Sequence, residues 1–241
     1  MLFSGKTDVG KRRANNQDCF SIVELSGGAY LFTVCDGMGG ANGGNIASEI
    51  ACGVYTEKVK ENFSIDTDEN IIRSAITSAN TAVYEVASTS DELKGMGTTL
   101  VSVLIRADGQ ITAANVGDSR LYGITKDGIK QITRDHSYVQ YLVDMGQITL
   151  NEAKKASIRN IIIRSIGNEA QTTPDFFTLN ISEYEYLLLC SDGLSNCVSN
   201  ELILKTVNEL GCNTEECAEE LIKLANEGGG NDNITALVIK L

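Results

Sequence analysis

Two hydrophobic periodicities alternate along this chain in blocks rather than element by element, and that segregation limits the folds open to it. Residues 19–25 and 30–35 alternate as strands around Ser26-Gly27-Gly28-Ala29, a hairpin signal. Helical spacing then runs from Asn45 to about Lys60. It resumes over 69–87, where Ile72, Ile76, Ala79, Val83 and Val86 recur on one face and Asp68 stands as an N-cap. The period changes again over 98–106, 110–116, 119–125 and 128–133, four strands with Asp108-Gly109 and Asp127-Gly128 as tight turns. Residues 136–157 read as helical, 175–181 and 186–191 as strands, and 199–210 and 214–227 as helices. Asn213 and Glu216 suit a capping box, Gly228-Gly229-Gly230 breaks the last helix, and 234–240 closes the chain as a strand. Strand runs separated by helix pairs predict an α+β fold rather than alternating βαβ units. Two stacked antiparallel sheets with a helix pair on each outer face, a four-layer αββα sandwich, would bury every apolar stripe. No internal repeat or linker divides the 241 residues, so one domain over 1–241 is expected.

The balance of 20 basic and 32 acidic residues, formally −12, argues against nucleic acid and against an anionic membrane surface. Seven cysteines, scattered through apolar runs with no CxxC pair, form no disulfide framework and no zinc motif. Cys35 and Cys190 read as small strand hydrophobes. With no apolar leader and no membrane-length run, a cytoplasmic protein is expected.

Four acids stand at strand ends. Asp36 follows Tyr-Leu-Phe-Thr-Val-Cys and Asp192 follows Tyr-Leu-Leu-Leu-Cys-Ser, each preceding a glycine with no strand directly after it. Asp18 and Asp232 mark strand starts. If each start pairs antiparallel with an end, the four carboxylates meet at one edge of the sheets. Like charges crowded there raise one another's pKa, and a buried acid is expensive unless compensated. Position alone leaves metal ligation and hydrogen-bonded turns both open. Two divalent ions would neutralise the four charges, and all-oxygen ligands suit Mg²⁺ or Mn²⁺. Two such ions can activate a bridging water.

The residues around these acids also resemble a known family. Thr7-Asp8-Val9-Gly10 with Arg13-Ala14-Asn15-Asn16-Gln17-Asp18, then Val34-Cys35-Asp36-Gly37-Met38-Gly39-Gly40, then Gly95-Met96-Gly97-Thr98-Thr99 and Val116-Gly117-Asp118-Ser119-Arg120 are similar to motifs of the metal-dependent protein phosphatases of the 2C type. Asp135-His136-Ser137, Leu189-Cys190-Ser191-Asp192-Gly193-Leu194 and Asn231-Asp232-Asn233-Ile234-Thr235-Ala236 continue the series in family order, and the length is that of the short bacterial form. The resemblance implies a phosphatase acting on phosphoserine and phosphothreonine in proteins through a water activated by a dinuclear Mn²⁺ or Mg²⁺ centre. It implies that Asp36 bridges both ions, that Asp192 and Asp232 complete the first site, and that Asp18 and the Gly37 carbonyl serve the second. Asp118 and Asp192 match the ligands of a weaker third ion, and Arg13 would clamp the substrate phosphate. Phosphoprotein substrates, a cognate Ser/Thr kinase, a monomer and a flap subdomain at about 137–165 follow from the same resemblance.

Several positions depart from the family pattern. Met38 and Ala41 stand where relatives often carry a histidine, Asn45 replaces a usual Glu, and Lys154-Lys155-Ala156-Ser157-Ile158-Arg159-Asn160 lacks a usual His-Pro. Ala41 and Asn45 support one alternative, a catalytically weak, phosphatase-like module that binds or senses phosphoproteins. His136, the only histidine, reads either as a proton shuttle or, by preference, as a structural residue at a helix start beside the flap. The glycine-rich stretch 37–44 lacks the Gly-Lys-Ser/Thr ending of a nucleotide loop.

Overall fold

The computed structural model describes residues 1–241, apart from the side chains of residues 40–42 and 154, so the Ala41 position lies outside the described side chains. Two antiparallel sheets form the centre. One has the order β1-β11-β10-β7-β8, built from Leu2–Asp8, Ile234–Lys240, Tyr186–Cys190, Arg120–Thr125 and Gly128–Gln131. The other runs β2-β3-β5-β6-β9, from Asp18–Glu24, Tyr30–Met38, Leu100–Ile105, Gln110–Val116 and Asp175–Asn180, with the short β4 (Gly97–Thr98) paired to β3.

Three apolar cores define the layers. Between the sheets, Phe32, Val34, Val101, Val103 and Ile111 of one pack on Leu121, Leu187, Leu189, Leu237 and Ile239 of the other. The outer face of the β3 sheet is covered by α1 (Gly40–Asn62) and α2 (Asp68–Ala87), through Tyr55, Ile72, Ile76 and Val83. The outer face of the β10 sheet is covered by α6 (Asn200–Leu210) and α7 (Thr214–Glu227), through Ile203, Val207, Leu221 and Ala225. The αββα sandwich expected from the periodicities is the fold observed. Strands buried on both faces, such as Leu100–Ile105, carry apolar or small residues at successive positions because both sides meet a core.

Five local features differ from the sequence reading. Leu2–Asp8 is an edge strand paired along β11. Its mixture of Gly, Ser, Lys and Thr gives no clean alternation because the strand is only half-buried along its length. The cap of α2 is Thr67, whose side chain accepts from the Asn70 N–H, and Asp68 sits one residue inside. Residues 136–157 form two short helices, α3 (Tyr138–Asp144) and α4 (Leu150–Lys155), each with its own cap at Ser137 and Thr149. The first long helix starts at Gly40, ahead of the apolar periodicity. At α7 the Asn213 side chain caps the Glu216 N–H as expected, but the Glu216 carboxylate takes the Asn213 side-chain amide instead of its backbone.

Candidate active site

The expected pairing of strand starts with strand ends is present in both sheets. In the β2–β3 hairpin, Asp18 stands directly opposite Asp36. In the other sheet β10 runs antiparallel to β11, so Ser191 bonds Thr235 through its N–H, and Asp192 and Asp232 reach the same edge. Asp192 then opens the short helix α5 (Asp192–Ser195). The sandwich brings the two edges together.

Asp36 is fixed from behind. Its N–H donates to Thr99 Oγ1 at 2.9 Å, and its carbonyl accepts from the Thr99 N–H and the Thr98 hydroxyl, both at 2.9 Å. The Thr99 hydroxyl also lies 2.7 Å from that of Ser119, next to Asp118. Gly37 has no room for a side chain: a Cβ there would stand 2.0 Å from the Gly44 carbonyl oxygen. Asp18 joins the sheets, its Oδ2 accepting from Ser191 Oγ and Thr235 Oγ1, each at 2.7 Å. Asp232 accepts from Arg13 Nη2 at 2.8 Å and from the Asn233 N–H at 2.9 Å. The Asn233 amide donates to the carbonyls of Val9 and Asn15 and accepts from the Gln17 N–H, which holds the loop carrying Arg13 over the site. Arg13 is therefore part of the cluster and not of a solvated charge run.

A cavity of about 420 Å³ opens here, lined by Arg13, Asp36, Gly37, Asp118, Asp192 and Asp232, together with Asn160 and Ile162. Asp18 does not line it; the residue is half-buried, with its Oδ1 shut off from solvent. Burial raises the Asp36 carboxyl well above its usual range, with the charges of Asp18, Asp192, Asp118 and Asp232 adding to the effect. Burial likewise raises Asp18 to about 7, assisted by Asp192 and Asp232 and opposed by the two hydroxyl bonds. Asp118 rises to about 8 through burial and the Asp192 charge, and Asp192 to about 6 through burial and the Asp232 charge. The Arg13 guanidinium is raised by its bond to Asp232.

Two buried carboxylate oxygens have no hydrogen-bond partner, Asp18 Oδ1 and Asp192 Oδ1. Buried polar atoms are nearly always paired, and an orphaned anionic oxygen is the costliest exception. Among the described residues no three acidic, His or Cys side chains already close into a metal cage. The case for a cation rests instead on the donor set, hard oxygens only, and on these orphan atoms, one on Asp192 in the cavity wall and one on Asp18 behind it. Sequence motifs contained Ser191, Thr235, Asn233, Thr98 and Thr99 without revealing their work, because each acts across more than 40 residues or across both sheets.

The model of the protein phosphatase 2C family matches residues 9–226. The chain belongs to that family. A serine/threonine phosphatase of Listeria welshimeri is 37% identical over 241 residues, covering 98% of this chain and 94% of the relative. The crystal structure of the serine/threonine phosphatase Stp1 from Staphylococcus aureus superposes with a TM-score of 0.90 at 36% identity, covering 99% of this chain and 94% of that one. The catalytic domain of the serine/threonine phosphatase PstP, solved with 2 manganese ions, superposes with a TM-score of 0.85 at 32% identity, covering 98% and 96%. Both the fold and the activity class follow: this 2C-type chain is a serine/threonine protein phosphatase.

Proposed function

We propose that the chain hydrolyses phosphoserine and phosphothreonine in proteins at the Asp36 cleft, with two Mn²⁺ or Mg²⁺ ions in the core and a weaker third. The observation that carries this reading is the set of carboxylates that line one cavity, Asp36, Asp118, Asp192 and Asp232, with Asp18 behind them, where Asp192 and Asp18 each keep an orphan oxygen. Asp36 would contact both core ions, with Asp192 and Asp232 on one and Asp18 and the Gly37 carbonyl on the other. Asp118 and Asp192 would hold the third. When bound, such ions neutralise the acids and supply a strongly nucleophilic water at neutral pH.

The chain's own groups have separable tasks. Arg13 reaches the cavity on a loop held by Asn233, so its planar fork can move from Asp232 to two phosphate oxygens. That placement orients phosphorus and stabilises charge growing on its equatorial oxygens. No Ser, Thr, Cys or His lines the cavity, which accords with direct attack by water and no phosphoenzyme. Met38 lines it where relatives often have histidine. His136 is buried beneath the flap, so the leaving alkoxide takes its proton from water. A second cavity of about 660 Å³ continues from Asp118 and Asp192 between the flap and α6. It has room for residues flanking the phosphorylated side chain.

The flap at about 137–165, a single catalytic domain over 1–241, a monomeric state and a cytoplasmic role opposite a cognate Ser/Thr kinase belong to the same proposal. Among the described residues no helix is long and apolar enough to cross a membrane. Hydrolysis of p-nitrophenyl phosphate and of a phosphothreonine peptide, with and without Mn²⁺, tests the reading. Mn²⁺-dependent turnover lost in Asp36→Asn is expected. Binding of the phosphopeptide without turnover would favour the sensor module instead.

A further inference from the structure

The phosphatase reading leaves the single histidine without a task, yet His136 is among the most constrained polar residues in the molecule. It is buried, and its Nδ1 accepts the Gly117 N–H at 3.1 Å. A lone pair at Nδ1 places the ring proton on Nε2, which faces Asp175 Oδ2 at 3.2 Å. Arg164 Nη1 donates to the other oxygen of Asp175 at 2.7 Å and stands 3.0 Å from Nε2 itself, two donors brought together by the carboxylate they share. Burial lowers the imidazole pKa, with the Arg164 charge adding and Asp175 opposing, so the ring is neutral at neutral pH, as the Nδ1 acceptor requires.

The His136 main chain is equally occupied. Its N–H donates to the Gly117 carbonyl at 2.9 Å, so side chain and backbone grip both ends of one glycine. Its carbonyl accepts the Ile163 N–H at 2.9 Å, and the next residues pair Ser137 with Ile162 and Tyr138 with Ile161. This short ladder is the base of the flap, and Ile162 and Asn160 rim the active cavity. Gly117 itself cannot be replaced easily: its φ is +110°, and a Cβ would stand 2.5 Å from Thr99 Cγ2. Asp118, the next residue, thus leaves a peptide whose plane is set by Thr99 on one side and His136 on the other.

We propose that His136 is a positioning residue that couples the flap base to the Asp118 carboxylate by gripping Gly117 at both ends, its ring on the N–H of the Val116–Gly117 peptide and its own N–H on the carbonyl of the Gly117–Asp118 peptide. It touches neither substrate nor reacting atoms. The proposal rests on the assignment of Asp118 to the weaker metal site, and its effect is on how well that site forms rather than on proton transfer.

The test separates the two ring contacts. In His136→Asn the amide oxygen stands near the Nδ1 position and keeps an acceptor for Gly117. In His136→Gln the amide nitrogen stands near Nε2 and keeps a donor to Asp175 but offers Gly117 nothing. Mn²⁺ titration by calorimetry, kcat and KM on p-nitrophenyl phosphate, and amide exchange of Gly117 in metal-free protein are measured for wild type and both variants. His136→Gln is expected to weaken the loosest Mn²⁺ site about tenfold, the effect of one lost buried hydrogen bond. It should lower kcat to a similar extent with KM within about twofold, and speed Gly117 exchange. His136→Asn should recover most of each. If His136→Gln does not fold, Asp175→Ala, which frees the ring at Nε2, should shift the same readouts by a smaller factor of about three. Equal losses in His136→Asn and His136→Gln would reduce the residue to packing and overturn the proposal. So would wild-type Mn²⁺ affinity and Gly117 protection in His136→Gln or, where that variant does not fold, in Asp175→Ala. A wild-type protein with no Mn²⁺-dependent turnover would instead overturn the phosphatase reading and the metal coupling with it.

Discussion

Asp68, buried, and Asp192, half-buried, both stand at the first position of a helix, and the molecule treats them in opposite ways. Asp68, opening α2, receives the Arg106 guanidinium on both oxygens at 2.5–3.0 Å, with the cation stacked over Phe63. Asp192, opening α5, receives one amide from Asn196, keeps an orphan oxygen, and is raised to about 6. Arg120 lies near it but bonds bidentately to Asp135. The chain can thus neutralise a buried carboxylate from its own residues where only stability is at stake. Around the Asp36 cleft it does so only at the rim, through Arg13 and Asp232. In the proposed function, the countercharge at these positions comes from bound cations.

The contrast can be broken at several points. The largest effect is expected for Asp36→Asn, which should lower phosphatase turnover by roughly a thousand-fold or more through loss of metal-dependent catalysis. Its metal-free form should be no less stable than wild type, since the amide is neutral without having to take up a proton. Thermal melting with EDTA checks the second half, and a marked drop would mean Asp36 already has a structural partner. Arg13→Ala should reduce kcat/KM by about a hundred-fold with Mn²⁺ affinity nearly unchanged, read by steady-state kinetics and calorimetry. Asp68→Asn should do the reverse. Activity per folded molecule stays, while denaturant unfolding shows a loss of about 2 kcal/mol, below that of a fully enclosed pair because Arg106 keeps 27% of its side chain in water.

A smaller effect concerns pH. The raised carboxyls bind more protons in the folded, metal-free protein than in the unfolded chain. An acid raised from its ordinary 3.8 to about 6, 7 or 8 leaves stability intact below about pH 4 and removes it progressively as pH rises through the folded value. The EDTA-treated protein should therefore lose melting temperature between pH 5 and 8, and Mn²⁺ should raise it by about 5 °C more at pH 8 than at pH 5. An equal Mn²⁺ shift at both values would show that these acids are not protonated in the folded state.

Legibility in the sequence followed the range of the interactions. Helix periodicities, strand runs and the Asp-Gly turns at 108 and 127 are local, and the structure repeats them with small shifts in their ends. The convergence of Asp18, Asp36, Asp192 and Asp232 was legible because antiparallel pairing links a strand's start to its neighbour's end. Asp68 could not be told from a cap because its partner Arg106 lies on another element and replaces the capping role with an ion pair. The supports of Asp18 were hidden for the same reason: Ser191 and Thr235 belong to the opposite sheet. The strand Leu2–Asp8 escaped because a half-buried edge needs no alternation, and the break at 145–149 because each short helix has its own side-chain cap.

In the proposed function, the acids around the Asp36 cleft keep their protons until divalent cations replace them. Calorimetric titration with Mn²⁺ at pH 6.5, repeated in two buffers of different ionisation enthalpy, measures that exchange directly. We expect at least about one proton released per protein molecule, falling towards zero by about pH 9 as Asp18, Asp118 and Asp192 ionise on their own. Binding with no proton release at pH 6.5 would contradict the account.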